Sequence, residues 1–219
     1  LYSKMASQIH NLPYEECMEF HPVTGELQKE GKKVRSNTKS ILLGLLYGRQ
    51  AKSIGEQIGA TEKEAQELVD SFFRSFPKIK ELDKITKLKA TQNGYVSTIC
   101  GRKRRLPDIK SKDRWAKARA ERQCLNAMIQ GSSADAMKLA MIRIYNDKKL
   151  RELGAKIVLT VHDEAELECP VENAKEVASI MTDIMKNVGE DLFKIKMKCD
   201  EEFMFRWGEP INIDDLKGS

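Results

Sequence analysis

The sequence predicts an α+β protein, mostly helical at first and then a small antiparallel sheet backed by helices. Three observations carry this. Capping and stop signals divide residues 35–92 into successive helices. After Gly154 the texture changes to β-branched and alternating runs, AKIVLTV and AELEC. A 219-residue chain with 32% charged and 6% aromatic residues suits a helix-rich protein with room for one large domain or two small ones.

Taken in order, Leu1 to Phe20 reads as helical, with Pro13 restarting it. His21 to Gly31 (HPVTGELQKEG) is a polar loop or short hairpin. Helix follows from Arg35 to Tyr47 and is closed by Gly48; a second short helix covers Ala51 to Ile58. Thr61 and Glu64 form a capping box that opens a helix to Phe76, and Pro77 opens the next, to Gln92. Asn93-Gly94 is a turn signal ahead of a short strand in YVSTIC. A basic loop then leads into a long helix from Lys112 to Lys149, interrupted near Gly131-Ser132-Ser133. AKIVLTV and AELEC make a hairpin with His162, Asp163 and Glu164 at its tip. Glu172 to Val188 is an amphipathic helix, and KIKMKCDEEFMFRWGE a further strand or pair of strands.

Composition excludes some classes. No apolar run approaches the roughly 20 residues of a membrane helix, so no membrane partner is expected. The start, LYSKMASQIH, has neither a signal-peptide pattern nor an initiator Met, so the expectation is a fragment or a processed product. Five scattered cysteines without a CxxC pair suit reduced thiols in a cytoplasmic protein better than disulfides or zinc. The net charge of +5 is unevenly spread. Basic residues gather at Lys32–Lys39 and from Gly101 to Arg122, acidic ones in HDEAELE and CDEE. That asymmetry suggests a polyanion partner and a site that wants cations, although two ordinary solvated faces would also produce it.

Arg35, Lys39, Leu43 and Tyr47 recur every fourth residue and share one slowly drifting helix face. Two cations there suit a nucleotide's phosphates, and an aromatic at the far end suits stacking on a base. A surface helix with solvated cations and a packed Leu43 and Tyr47 is the ordinary alternative. Asp163, lifted to a hairpin tip, is a hard oxygen ligand of the kind Mg²⁺ takes, but a single carboxylate does not make a two-metal site. As a bare tripeptide HDE is weak evidence, and a plain polar turn is its more ordinary reading. NAMIQGSSAD supplies Asn126 and Gln130 for base edges or sugars, and GRKRR supplies phosphate contacts.

In this order the motifs resemble the C-terminal part of a family A DNA polymerase of the bacterial polymerase I type, in a phage-like version. RSNTKSILLGLLYG is similar to motif B of the fingers (Arg-x3-Lys-x7-Tyr-Gly) and TVHDE to motif C of the palm. GRKRRLPDI, ARAERQCLN and QGSSAD match the segments between them. The resemblance covers Leu1 to about Glu209. It implies a right-hand polymerase fragment, mainly fingers over residues 1–111 and palm over 112–219, with the motif C hairpin near 156–169. It further implies template-directed addition of dNTPs to a primer 3′-hydroxyl, in replication or repair, with two Mg²⁺ ions and primer–template DNA as partner. Arg35 and Lys39 would hold the triphosphate, Lys39 also as proton donor to pyrophosphate. Leu43 would lie against the sugar and base, and Tyr47 by the template base. Asp163 would bind both metals, with Glu164 peripheral, and His162 would steady the primer terminus. Arg122, Asn126 and Gln130 would touch primer–template, with Arg102 and Arg104 on its phosphates.

Three departures qualify the resemblance. The family's motif A Asp, expected upstream of Leu1, has no counterpart here, so this chain alone is expected to be inactive, or to need the missing N-terminal part as a separate chain. Leu43 stands where many members carry Phe or Tyr. Tyr2 stands where many carry a phosphate-contacting His; its hydroxyl can donate one hydrogen bond but brings no charge. The insertion-like HPVTGELQKEG fits phage-type members. Two alternatives remain open: a non-catalytic DNA-binding module or split half, and a related RNA polymerase or other nucleotidyl transferase. QGSSAD together with HDE argues against the last.

Overall fold

The computed structural model describes residues 2–212, so the expectations that touch Leu1 and residues 213–219 lie outside the described residues. Helix α1 spans Tyr2–His10, shorter than expected. Asn11 takes a left-handed φ of 51°, and past Pro13 the chain makes one 3-10 turn, Tyr14–Cys17, instead of a second helix. The segment after it is a small hairpin, with Phe20 bridged antiparallel to Leu27 and Gly25 turning at φ 71°.

Helix α2 (Lys29–Leu46) begins six residues before Arg35. Gly31, whose residue type suggested a loop, sits inside this helix because the chain needs room there. A Cβ at Gly31 would collide with the Met18 carbonyl oxygen and lie 2.7 Å from that of Glu16. Thr38, Ile41, Leu42 and Leu45 form the buried stripe of α2. It packs with Met5 of α1, Ile54 of α3 (Ala51–Ile58), and Ala65 and Phe72 of α4 (Glu62–Ser75). The capping box that opens α4 is complete: the Glu64 N–H donates to Thr61 Oγ1 at 3.3 Å, and the Thr61 N–H to the Glu64 carboxylate at 2.8 Å.

Helix α5 runs Pro77–Asn93, and Gly94 (φ 77°) is its left-handed cap, not a hairpin turn. Strand β1 (Tyr95–Ser97) pairs with β2 (Lys103–Arg105). A second core cluster gathers Ala90, Val96, Leu106, Ile109, Ala120 and Cys124. Burial pushes the Cys124 thiol up to about 11, which keeps it an unreactive thiol. All five cysteines are free.

Helix α6 (Arg114–Asn146) is continuous, and the expected break at Gly131-Ser132-Ser133 does not occur. Gly131 answers to close approach instead: a Cβ there would lie 2.5 Å from Thr98 Cγ2. Ser132 Oγ donates to the Met128 carbonyl at 2.7 Å and accepts from the Ile99 N–H at 2.9 Å, so it docks the β1–β2 loop without breaking the helix. The expected helix up to Lys149 is instead two. Asp147 caps a separate α7 (Lys148–Glu152) by accepting from the Leu150 N–H.

Strands β3 (Lys156–Val161) and β4 (Glu164–Glu168) form the expected antiparallel hairpin, with Val158 the extra residue of a bulge. Its Ile157 and Leu167 pack with Val177, Ile180 and Ile184 of α8 (Ala174–Phe193), which runs five residues past Val188. The last expected strands are a two-residue pair, β5 (Phe203–Met204) with β6 (Pro210–Ile211). Among the described residues the strands thus make three separate two-stranded ribbons.

The chain forms two compact units, and one change between them falls inside α6. Among the described residues, one unit runs to Val96 and adds Lys103–Ala127; the other holds Ser97–Arg102 and the residues that follow from Met128.

In an open helix interior, Gly→Ala gains about 1 kcal/mol. Gly31→Ala should reverse that sign, because the clash is with backbone that cannot rotate away. Urea unfolding should show a loss of about 1–3 kcal/mol.

Candidate functional site

In the first unit, the buried stripe of α2 fixes which of its faces is left outside. Ser36, Lys39, Ser40, Leu43, Gly44 and Tyr47 line an open cleft of about 820 Å³. Its other lining residues come from the turn after α2, from Ser53 of α3 and from the first turns of α6, among them Arg49, Trp115 and Arg122. Gly48, at φ 77°, ends α2 and lets the Arg122 stem cross it: a Cβ there would lie 2.7 Å from Arg122 Cγ. The cleft lining contains no Asp or Glu. Among the described residues Lys39 has no ion pair, so its charge is available to an anion. Arg49 donates to the Gln57 side-chain oxygen, and Gln57 in turn to Ser40 Oγ at 2.9 Å, which ties α3 to this face of α2.

Arg35 lies one turn before Lys39 on α2 but is not part of the cleft lining. Its guanidinium sits 5.9 Å from the centre of the Tyr2 ring and 3.3 Å from a Glu19 carboxylate oxygen. Lys32 holds the other Glu19 oxygen at 2.9 Å. The Lys32 hydrogen bond, with the charges of Lys32 and Arg35, keeps the Glu19 carboxyl below its usual value, although partial burial pushes the other way. The antiparallel Phe20–Leu27 bridge and the Gln28 N–H bonded to the Glu19 carbonyl hold Glu19 in place. Sequence spacing could not reveal Glu19, because its partners lie 13 and 16 residues away.

In the second unit, His162 and Asp163 form the two-residue connection of the β3–β4 hairpin, after the Val161–Glu164 pair. His162 takes a left-handed φ of 53°. His162, Asp163 and Glu164 are all exposed. No group of three or more His, Cys, Asp or Glu side chains able to hold a metal occurs among the described residues.

The remaining candidates separate. Asn126, one turn after Arg122 on α6, has a buried side-chain oxygen without a hydrogen bond in the structure. Gln130 follows one turn later and is exposed. Arg104 is exposed on β2. Arg102 is engaged: its Nε donates to Asp135 Oδ1 at 2.8 Å and its Nη2 to the Gly131 carbonyl at 2.8 Å. Burial alone would raise the Asp135 carboxyl, but hydrogen bonds from Thr98 and Arg102 and the Arg102 charge hold it below the ordinary value. Arg102 therefore has a structural partner that a phosphate would have to replace.

The model of the family described as DNA polymerase family A matches residues 1–209. The thermostable DNA polymerase I of Thermus filiformis is 37% identical over 155 residues, which is 71% of this chain and 18% of that protein. The DNA polymerase I of Caldicellulosiruptor bescii is 42% identical over 155 residues, 70% of this chain and 18% of the relative. Among solved structures, the POL domain of Pol1 from M. smegmatis, in complex with DNA primer-template and dNTP, superposes with a TM-score of 0.74 at 31% identity. That match covers 86% of this chain and 31% of the other. The chain thus spans about a fifth of the length of the curated relatives it matches.

Removing the Arg102 side chain takes the charged partner from a carboxylate that is 8% exposed and has one oxygen already without a hydrogen bond. Arg102→Ala should cost about 1–3 kcal/mol of stability, discounted because the guanidinium is half exposed. Arg104→Ala should stay within about 0.5 kcal/mol of the parent in the same denaturant titration.

Proposed function

Because this chain belongs to DNA polymerase family A, we propose that it is the fingers and part of the palm of a DNA-directed DNA polymerase, which adds dNTPs to a primer 3′-hydroxyl on a DNA template. The observation that carries the reading is the acid-free cleft in which Lys39, Leu43, Tyr47 and Arg122 meet. An unpaired ammonium, an aliphatic, an aromatic and a guanidinium are the groups a nucleoside triphosphate and a base pair call for. The M. smegmatis relative, solved with primer-template and dNTP, supports the same partners here.

In this reading Lys39 binds the triphosphate and donates a proton to the departing pyrophosphate. Leu43 packs on the sugar and base, and Tyr47 covers the template base. Arg35 joins the triphosphate after releasing Glu19, and Tyr2 offers a hydroxyl from beside Arg35. Arg122, Asn126, Gln130 and Arg104 hold primer–template, Arg102 contributes if its Asp135 contact opens, and His162 steadies the primer end.

Asp163 and Glu164 fit a hard divalent cation by donor type, since exposed carboxylates are what Mg²⁺ takes. Asp163 is the principal ligand in this reading and Glu164 a peripheral one, within a two-ion set that other residues of the polymerase complete. When bound, such ions stabilise charge on the attacking and leaving oxygens. In this reading the described residues hold only Asp163 and Glu164 of that ion set, and primer extension needs the residues that complete it. We place the enzyme in the cytoplasm. A non-catalytic DNA-binding role is the second reading, favoured only by the lack of a third metal-ligating side chain among the described residues.

Titrating this chain with a dNTP tests the assignment of the α2 face. Lys39→Ala should weaken triphosphate binding about tenfold or more, since a charge-assisted contact is worth roughly 1.5–3 kcal/mol, and leave duplex affinity within about twofold. Equal loss of duplex affinity would move Lys39 to the DNA. Glu19→Gln should tighten triphosphate binding several-fold, because the neutral amide no longer competes for Arg35. In the complete polymerase, Asp163→Asn should lower primer extension by a factor on the order of a hundred or more, because a neutral side chain is a poor Mg²⁺ ligand. Near-normal extension by that variant removes the metal assignment.

A further inference from the structure

Trp115 opens α6 and is 83% exposed. Tryptophan is the side chain with the most apolar area to lose from water, and it is enriched where proteins meet their ligands. Its place is held from the backbone: the Trp115 N–H donates to Asp113 Oδ1 at 2.9 Å, which fixes the first turn of the helix. The indole belongs to none of the buried clusters. It lines the same cleft as Tyr47, and Lys39, Arg49 and Arg122 are the charged residues of that lining.

We infer that Trp115 is a stacking residue for an unpaired base of the template strand. The inference rests on the polymerase reading of the cleft and goes beyond it, because that reading uses Tyr47 as the only aromatic there. Two aromatics, three cations and no carboxylate give the composition that binds single-stranded nucleic acid, with rings for bases and cations for phosphates. Duplex bases already stack on their neighbours, so a flat, exposed indole can take only a base that is not paired. A protein segment would meet three unbalanced cations and is disfavoured on charge.

The chain has two tryptophans, so Trp207→Phe leaves Trp115 as the sole indole reporter. That variant is titrated with a primer–template bearing a single-stranded 5′ template overhang, and with the same duplex whose overhang is abasic. Anisotropy of a dye on the primer reports binding separately. Trp115 emission should be quenched at saturation by the base-bearing overhang, and at least about twofold less by the abasic one. Trp115→Ala should weaken overhang DNA by about five- to a hundredfold relative to blunt duplex, and Trp115→Phe should restore most of the loss, as expected when stacking carries the contact. If anisotropy shows binding but Trp115 emission responds equally to both overhangs, the DNA reading stands and the stacking role is wrong. If no DNA changes the anisotropy, both fall.

Discussion

The rotation of α2 about its own axis is the constraint on which the site depends. Ile41, Leu42 and Leu45 must face Met5, Ile54, Ala65 and Phe72, and each of these three α2 side chains contributes about 1.5–3 kcal/mol by leaving water. Turning the helix by one residue, about 100°, would expose that stripe. The core therefore decides that Lys39, Leu43 and Tyr47 point into the cleft, and the chemistry of the face is inherited from packing on the opposite side. Gly31 and Gly48 finish the task at the two ends of the helix: one lets its start press against the 16–18 segment, the other lets Arg122 cross its end.

Electrostatics then divides the cations of the chain into two sorts. Arg35 and Lys32 share Glu19, and Arg102 is bound to Asp135, so these charges are balanced within the fold. Lys39, without an ion pair among the described residues, lines a cleft that lacks any acid. Pairs as exposed as Lys32 with Glu19 contribute little to stability, so a ligand with several negative charges can replace them at small cost. The same exchange is harder at Asp135, where the carboxylate is buried and loses its compensation.

Local chemistry was legible in the sequence and distant chemistry was not. The capping box at Thr61, the helix over Ala51–Ile58 and the hairpin carrying Asp163 follow from nearest neighbours, and the structure has all three. The four-residue spacing from Lys39 to Tyr47 likewise placed those residues on one face. Gly31 and Gly131 misled because glycine serves both a break and a close approach, and only tertiary contact distinguishes them. Glu19 escaped notice because its partners lie 13 and 16 residues away, and Trp115 because the α2 residues that line the cleft with it are far away in sequence; neither residue type marks a site by itself. Arg102 looked like its basic neighbours until Asp135 appeared beside it.

Hydrogen–deuterium exchange of this chain with and without a saturating dNTP shows whether the outer face of α2 receives the nucleotide. Exchange should slow in residues 35–48 and at the start of α6, with the amides of α8 unchanged. Protection confined to the second unit, with none along α2, would contradict it.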